Sequence, residues 1–171
     1  MRPLLPAFLL CVITAPLLSQ PDTLEIDRRY GFKDIRLEMP VDSVPGLKFR
    51  KDILEKDQFQ AKLYQVVHAR YATIGEVKVT KLEVKAYQGS IYEILVTTVK
   101  DTRLMKALES IYGKADFHVY NSTYNWKGKR CRLTFSPEGK KSLKLTYVSW
   151  PVIRKMYEDK GRKVEEIAQD F

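Results

Sequence analysis

The residues best placed to do chemistry in this chain are cations and aromatics gathered near its C-terminal third. Lys127, Lys129, Arg130, Arg132, Lys140, Lys141 and Lys144 crowd into one short stretch, opposed there only by Glu138. Tyr120, Tyr124 and Trp126 lie just before them and share one parity. Guanidinium and ammonium groups hold phosphates, acidic glycans or acidic protein patches, and arginine and aromatic side chains carry much of the energy of interfaces. Tyr124, Trp126, Lys127, Lys129, Arg130, Arg132, Lys141 and Lys144 are therefore the candidate binding residues. Arg130, Arg132 and Lys144 are expected to project from one sheet face, because alternate strand residues point to opposite faces. The competing reading is a solvated face whose lysines suppress edge pairing, with Tyr124 and Trp126 filling the core.

Catalytic chemistry has less to stand on. A zinc site draws three or four ligands from His, Cys and carboxylates. His68, His118 and Cys131 each stand alone in a separate expected strand, so no metal and no cofactor is expected. A hydrolytic serine would sit in a G-x-S-x-G turn, and the chain has none. Cys131 and His118 fall in neighbouring expected strands. Cys131 nevertheless alternates in phase with Leu133 and Phe135 and is expected in the core, while Arg130, Arg132 and Thr134 point the other way. Most carboxylates are interspersed with lysines in loops and in the last helix, as solvated charge. An acid–base pair would need two of them to converge in a cleft. Asn121-Ser122-Thr123 is a sequon that would mark glycosylation in a eukaryotic secretory pathway.

The chain has 171 residues and a net charge of +9. Its first segment reads as an address. Arg2 is the only charge in residues 1–19, residues 4–18 are almost wholly apolar, Pro6 and Pro16 interrupt them, and the small Ser19 follows. That is the layout of a cleaved signal peptide over residues 1–19. The apolar run falls short of the roughly 20 residues of a membrane span, so no span is expected after cleavage. The protein is expected to be exported, to the periplasm or beyond. Cleavage removes Arg2 and Cys11, leaving a net charge of +8 and Cys131 without a disulfide partner. This basic balance favours an envelope protein or an acidic surface as partner, and export argues against nucleic acid.

Residues 20–30 are expected to be an extended lead-in, and residues 31–171 a single α+β domain. The lead-in is polar, residues 32–37 form a first short strand, and residues 48–58 read as a charged loop. Apolar alternation places strands over residues 59–67, 77–87 and 91–99. Ile74-Gly75-Glu76 reads as a hairpin tip, Thr80-Lys81 as a bulge and Gly89-Ser90 as a tight turn. The run over residues 91–99 is apolar on both parities, as in a central strand covered on both faces. Leu104, Met105, Leu108, Ile111 and Tyr112 recur at helical spacing, ending at Gly113. Strands are expected over residues 117–126, 129–136 and 142–149. Pro151 opens a closing helix with Ile153, Met156, Tyr157, Lys160, Val164, Ile167 and Phe171 along one stripe.

The expected fold is α+β: one curved antiparallel sheet of about six strands with helices on one face. Its order is a short helix and three strands, repeated, then the C-terminal helix. Function would sit on the open sheet face.

Three sets of residues carry a resemblance. The first is Tyr71 with Ile74-Gly75 and then Ala86-Tyr87-x-Gly89-x-x-Tyr92-x-Ile94. The second is Leu108 with Tyr112-Gly113. The third is Tyr124-x-Trp126-x-Gly128, followed by Leu133, Phe135 and Leu145-x-Tyr147. In this order and spacing, over residues 31–171, the chain resembles a group of small exported bacterial proteins of unknown function. The resemblance implies a periplasmic-type protein and no particular activity. In layout the chain is also similar to the tandem α/β architecture of secreted beta-lactamase inhibitor proteins, a likeness of fold that does not settle function.

The expected function is a non-enzymatic binding or accessory module of the cell envelope, using the basic and aromatic sheet face. The alternatives are an envelope hydrolase with an unrecognised site and a periplasmic folding or assembly helper.

Overall fold

Apolar alternation through the middle of the chain folds into one antiparallel sheet, which sets the position of everything else. The computed structural model describes residues 23–56 and 58–169; the expected signal peptide lies outside them. In chain order, helix α1 is Thr23–Arg29, and a small hairpin pairs β1 (Gly31–Phe32) with β2 (Ile35–Arg36). The main strands follow as β3 (Leu47–Glu55), β4 (Phe59–Val66), β5 (Thr73–Ile74), β6 (Val77–Tyr87) and β7 (Ser90–Val99). Helix α2 (Arg103–Tyr112) leads to β8 (Asp116–His118), β9 (Thr123–Lys127), β10 (Cys131–Glu138) and β11 (Ser142–Ser149), and α3 (Trp150–Ala168) closes the chain.

The sheet has nine strands in the order β3-β4-β6-β7-β11-β10-β9-β8, with β5 paired to β6. Two meanders, β3 to β7 and β8 to β11, therefore meet along their last strands, where Ile94 opposes Tyr147 and Val96 opposes Leu145. One face carries the main core: Val84, Ile94, Val96, Leu133, Trp126 and Tyr147, with Ile26 of α1 and Leu104, Leu108 and Tyr112 of α2 over them. The other face carries a second cluster, in which Val152 and Met156 of α3 pack on Phe59, Ala61, Tyr87 and Tyr92.

Several expectations change. About six strands were expected, and among the described residues the main sheet has nine. The charged residues 48–58 are not a loop: most belong to β3. This edge strand is held by backbone pairing to β4, and its Lys48, Arg50 and Lys51 are exposed, which keeps a bare edge from recruiting another chain. The lead-in is not extended, since α1 forms there and buries Ile26. The helices do not share one face, because Phe59, Ala61 and Tyr87 present apolar groups on the side away from α1 and α2, and α3 covers them. The expected strand over residues 117–126 is broken by a 3-10 turn, Val119–Asn121, followed by Ser122 at φ 49°.

Other local signals read through directly. The hairpin at Ile74 pairs β5 with β6, and the register slips between Val79 and Lys81 as the bulge requires. The tight turn lies one residue earlier than expected. Gln88 and Gly89 both have positive φ, at 49° and 80°. That is the pattern of a two-residue hairpin loop matched to strand twist. Ser149 caps α3, its hydroxyl accepting from the Val152 N–H at 3.3 Å, as a residue just before a first helical turn does. No helix among the described residues is long and apolar enough to cross a membrane.

Candidate functional site

The eight candidate binding residues come apart in three dimensions. Trp126 is 2% exposed on the core face, and its Nε1–H donates to the Gly113 carbonyl at 2.8 Å. Tyr124 is half-buried on the same face, between Phe117 and Phe135. Lys127, Arg132 and Lys144 lie on the opposite, outward face: Lys127 pairs across the ladder with Arg132, and Arg132 with Val148. Arg130 does not join them, contrary to the sequence expectation. It precedes β10, its guanidinium lies 4.3 Å from the Tyr30 ring centroid, and it donates to Glu38 at 2.8 Å. Lys129 and Lys141 are exposed at the hairpin turns.

The turn between β9 and β10 is basic for a reason that concerns the fold. Its successive amides form the kind of concavity that binds anions, and the chain fills that concavity itself. The Asp27 carboxylate of α1 accepts the N–H groups of Lys129 at 2.7 Å, Arg130 at 2.9 Å and Cys131 at 3.3 Å. A second polar knot lies beside it. Glu38, held at φ 69°, accepts from the Tyr30 hydroxyl, from Ser149 Oγ at 3.0 Å and from Arg130. Burial and the adjacent Glu38 carboxylate hold the Tyr30 phenol above its ordinary pKa, since both disfavour the phenolate. These groups fasten the N-terminal segment to β10 and α3. Sequence reading passed over Asp27 and Glu38 because their partners, Tyr30 apart, lie 92 to 111 residues away.

The outward face of β9 to β11 keeps its cations half-open or exposed. Arg132 stacks over the Trp150 ring at 5.1 Å. Lys144 pairs with Glu138 at 2.6 Å, and Lys127 approaches Asp116 at 3.9 Å. Thr134 and Thr146 lie between them, half-buried. Nearer α3 the same face carries a compact ion network, with Lys85 bound to Glu55 at 2.6 Å and to Glu93 at 2.8 Å. Burial works against the charged Lys85, but its hydrogen bonds to Glu55 and Glu93 outweigh that and hold its pKa above the ordinary lysine value, as hydrogen bonds to a charged form do.

Groups that catalysis would need stay apart. His118 lies exposed on β8 at one sheet edge, next to an apolar knuckle of exposed Phe117, Val119 and Tyr120. A depression of about 930 Å³ at the other end of the sheet is lined by Asp42 and Asp52. Both are exposed, without the apolar enclosure that separates an acid from a base. Among the described residues, no group of three or more His, Cys, Asp or Glu is placed to hold a metal ion.

Cys131 is fully buried. Burial, the charge of Asp27 and a hydrogen bond to Asp27 push its thiol up to about 12. It is no nucleophile at neutral pH. A thiol reagent such as DTNB is expected to leave Cys131 unlabelled in the native protein and to react with it fully after denaturation. The unfolded thiol releases its proton near 9 and the native one near 12. Between those values the unfolded state binds fewer protons, so stability falls as pH rises. Cys131→Ala is expected to lessen that fall in denaturant titrations, and an unchanged pH slope would refute the assignment.

Compared with protein-family models, curated proteins and solved structures, the chain gives no match.

Proposed function

We propose that this chain is a non-catalytic binding or accessory module of the bacterial cell envelope, engaging an acidic surface of a partner through the outward face of β9 to β11. The observation that carries this reading is the sharing of that one face by Lys127, Arg132 and Lys144, with Arg132 held on Trp150. A stacked guanidinium keeps donors for a carboxylate at little further cost in side-chain freedom. The buried residues of α3 pack on β4, β6 and β7 and leave Lys127 exposed and Arg132 and Lys144 half-buried. The envelope location rests on the signal-like residues 1–19 and on the resemblance to small exported proteins.

The test compares two triple charge reversals of equal net charge on a heparin column. Lys127→Glu/Arg132→Glu/Lys144→Glu is expected to elute at clearly lower salt than Lys48→Glu/Lys51→Glu/Lys106→Glu, with both far-UV spectra native. Coincident elution would show that net charge alone governs retention, and the face would lose its role.

A further inference from the structure

On the side of the molecule away from that face, α2, the β1–β2 hairpin and β11 border a half-open pocket of about 280 Å³. Phe32, Ile74, Leu104, Leu108 and Leu145 make its walls apolar. Two tyrosines also line it: Tyr112 at the end of α2 and Tyr147 on β11. Each is 4% exposed, and neither hydroxyl has a hydrogen-bond partner among the described residues. The rings are buried while the hydroxyls, unpartnered among the described residues, reach the pocket's solvent, so both are free to bond a ligand there. Burial raises the pKa of both phenols, so both remain donors at neutral pH.

Three cations complete the lining: Arg29, Lys33 and Arg36. Arg29 binds Glu25 at 2.5 Å, and Glu25 also holds Arg28. Arg36 spends one N–H on the Arg29 carbonyl, and Lys33 donates to the Arg70 carbonyl at 2.6 Å. Neither Lys33 nor Arg36 forms an ion pair among the described residues, so the lining keeps an excess of positive charge. The field of Arg29 reaches both phenols, and that of Arg36 reaches Tyr112. Cations and unpaired donors thus converge on one apolar cavity. The grouping of Arg28, Arg29, Lys33 and Arg36 in one short stretch was its only trace in the sequence.

We propose that this pocket binds an amphipathic organic anion, namely a medium-chain aliphatic carboxylate. Its tail lies against Leu104, Leu108 and Leu145, and its carboxylate is held by Arg36, Arg29 and the hydroxyls of Tyr112 and Tyr147. Size sets the chain length. An apolar cavity of about 150 Å³ takes a benzene, so this one takes about eleven heavy atoms, an acid of roughly eight to ten carbons. This site is independent of the outward face, and either can fail alone.

Calorimetric titration of the full-length chain with decanoate, decanol and acetate tests it. Decanoate is expected to bind at least tenfold more tightly than decanol, and acetate not measurably. Tyr147→Phe keeps the ring and removes only the hydroxyl. It is expected to weaken decanoate about tenfold, leave decanol unchanged, and hold or raise the melting temperature, since no protein partner is lost. Arg36→Ala, at an exposed position, is expected to act on decanoate in the same way. Equal affinity for decanoate and decanol would overturn the proposal. So would unchanged decanoate affinity in both variants, or no heat from decanoate at about 1 mM.

Discussion

Trp126→Ala is expected to cost about 3–5 kcal/mol of unfolding free energy, the range for emptying a buried aromatic site. The indole is 2% exposed, lies 6.1 Å from the Tyr112 ring between centroids, and donates to the Gly113 carbonyl at the end of α2. Its loss opens a cavity between β9 and α2 and leaves the last turn of that helix short of a partner. Trp126→Phe keeps much of the volume but drops the hydrogen bond, and is expected to cost about 1–2 kcal/mol. Urea unfolding followed by far-UV circular dichroism measures both. A Trp126→Ala protein as stable as the parent would mean that the ring contributes to contacts outside the fold and that the packing described for it is wrong.

Asp27→Ala is expected to cost about 2–4 kcal/mol, because one carboxylate serves three backbone N–H groups of the β9–β10 turn. The same clamp explains Gly128. A Cβ there would stand 2.2 Å from Asp27 Oδ1, inside contact distance of an atom already fixed by its donors. Gly128→Ala must therefore push the carboxylate off the turn. In the Asp27→Ala background that collision is gone, so the double variant is expected to be more stable than the sum of the single losses by about 1–3 kcal/mol. Strict additivity in a denaturant cycle would show that the two residues do not act together. The cycle also bears on function: it measures how far the basic turn is committed to an internal carboxylate and how little of it is left for a partner.

Much of the fold was legible wherever the signal was local. The α2 stripe, the Ile74 hairpin, the bulge near Thr80 and the alternation that buries Cys131, Leu133 and Phe135 each depend on side-chain period and turn chemistry within a few residues. β3 was not legible, because an edge strand is held by backbone pairing, and its charges carry the marks of a loop. α1 was missed for a related reason: Thr23–Arg29 is too short to show a period, and Ile26 is buried only because β10 and α2 are there to receive it. The candidate site divides in the same way. Parity placed Arg132 and Lys144 together on one face, but Tyr124 and Trp126, expected to share that basic face, lie with Leu133 on the other. Arg130 escaped parity because it lies in a turn, where Tyr30 and Glu38 decide its direction.

By itself, then, the sequence determined that this chain makes an antiparallel sheet with a long closing helix, that Cys131 is buried, and that cations gather in the β9–β11 region. Those properties follow from short-range periodicity and composition. Tertiary structure alone decided that two meanders meet along β7 and β11, that α3 covers the face opposite α1 and α2, and that Asp27 occupies the basic turn. It alone brought Tyr112 and Tyr147 to one pocket with Arg29 and Arg36. Each of these is a pairing between distant segments. Its free energy exists only once both partners have been carried to the same place, and no stretch of chain read alone contains it.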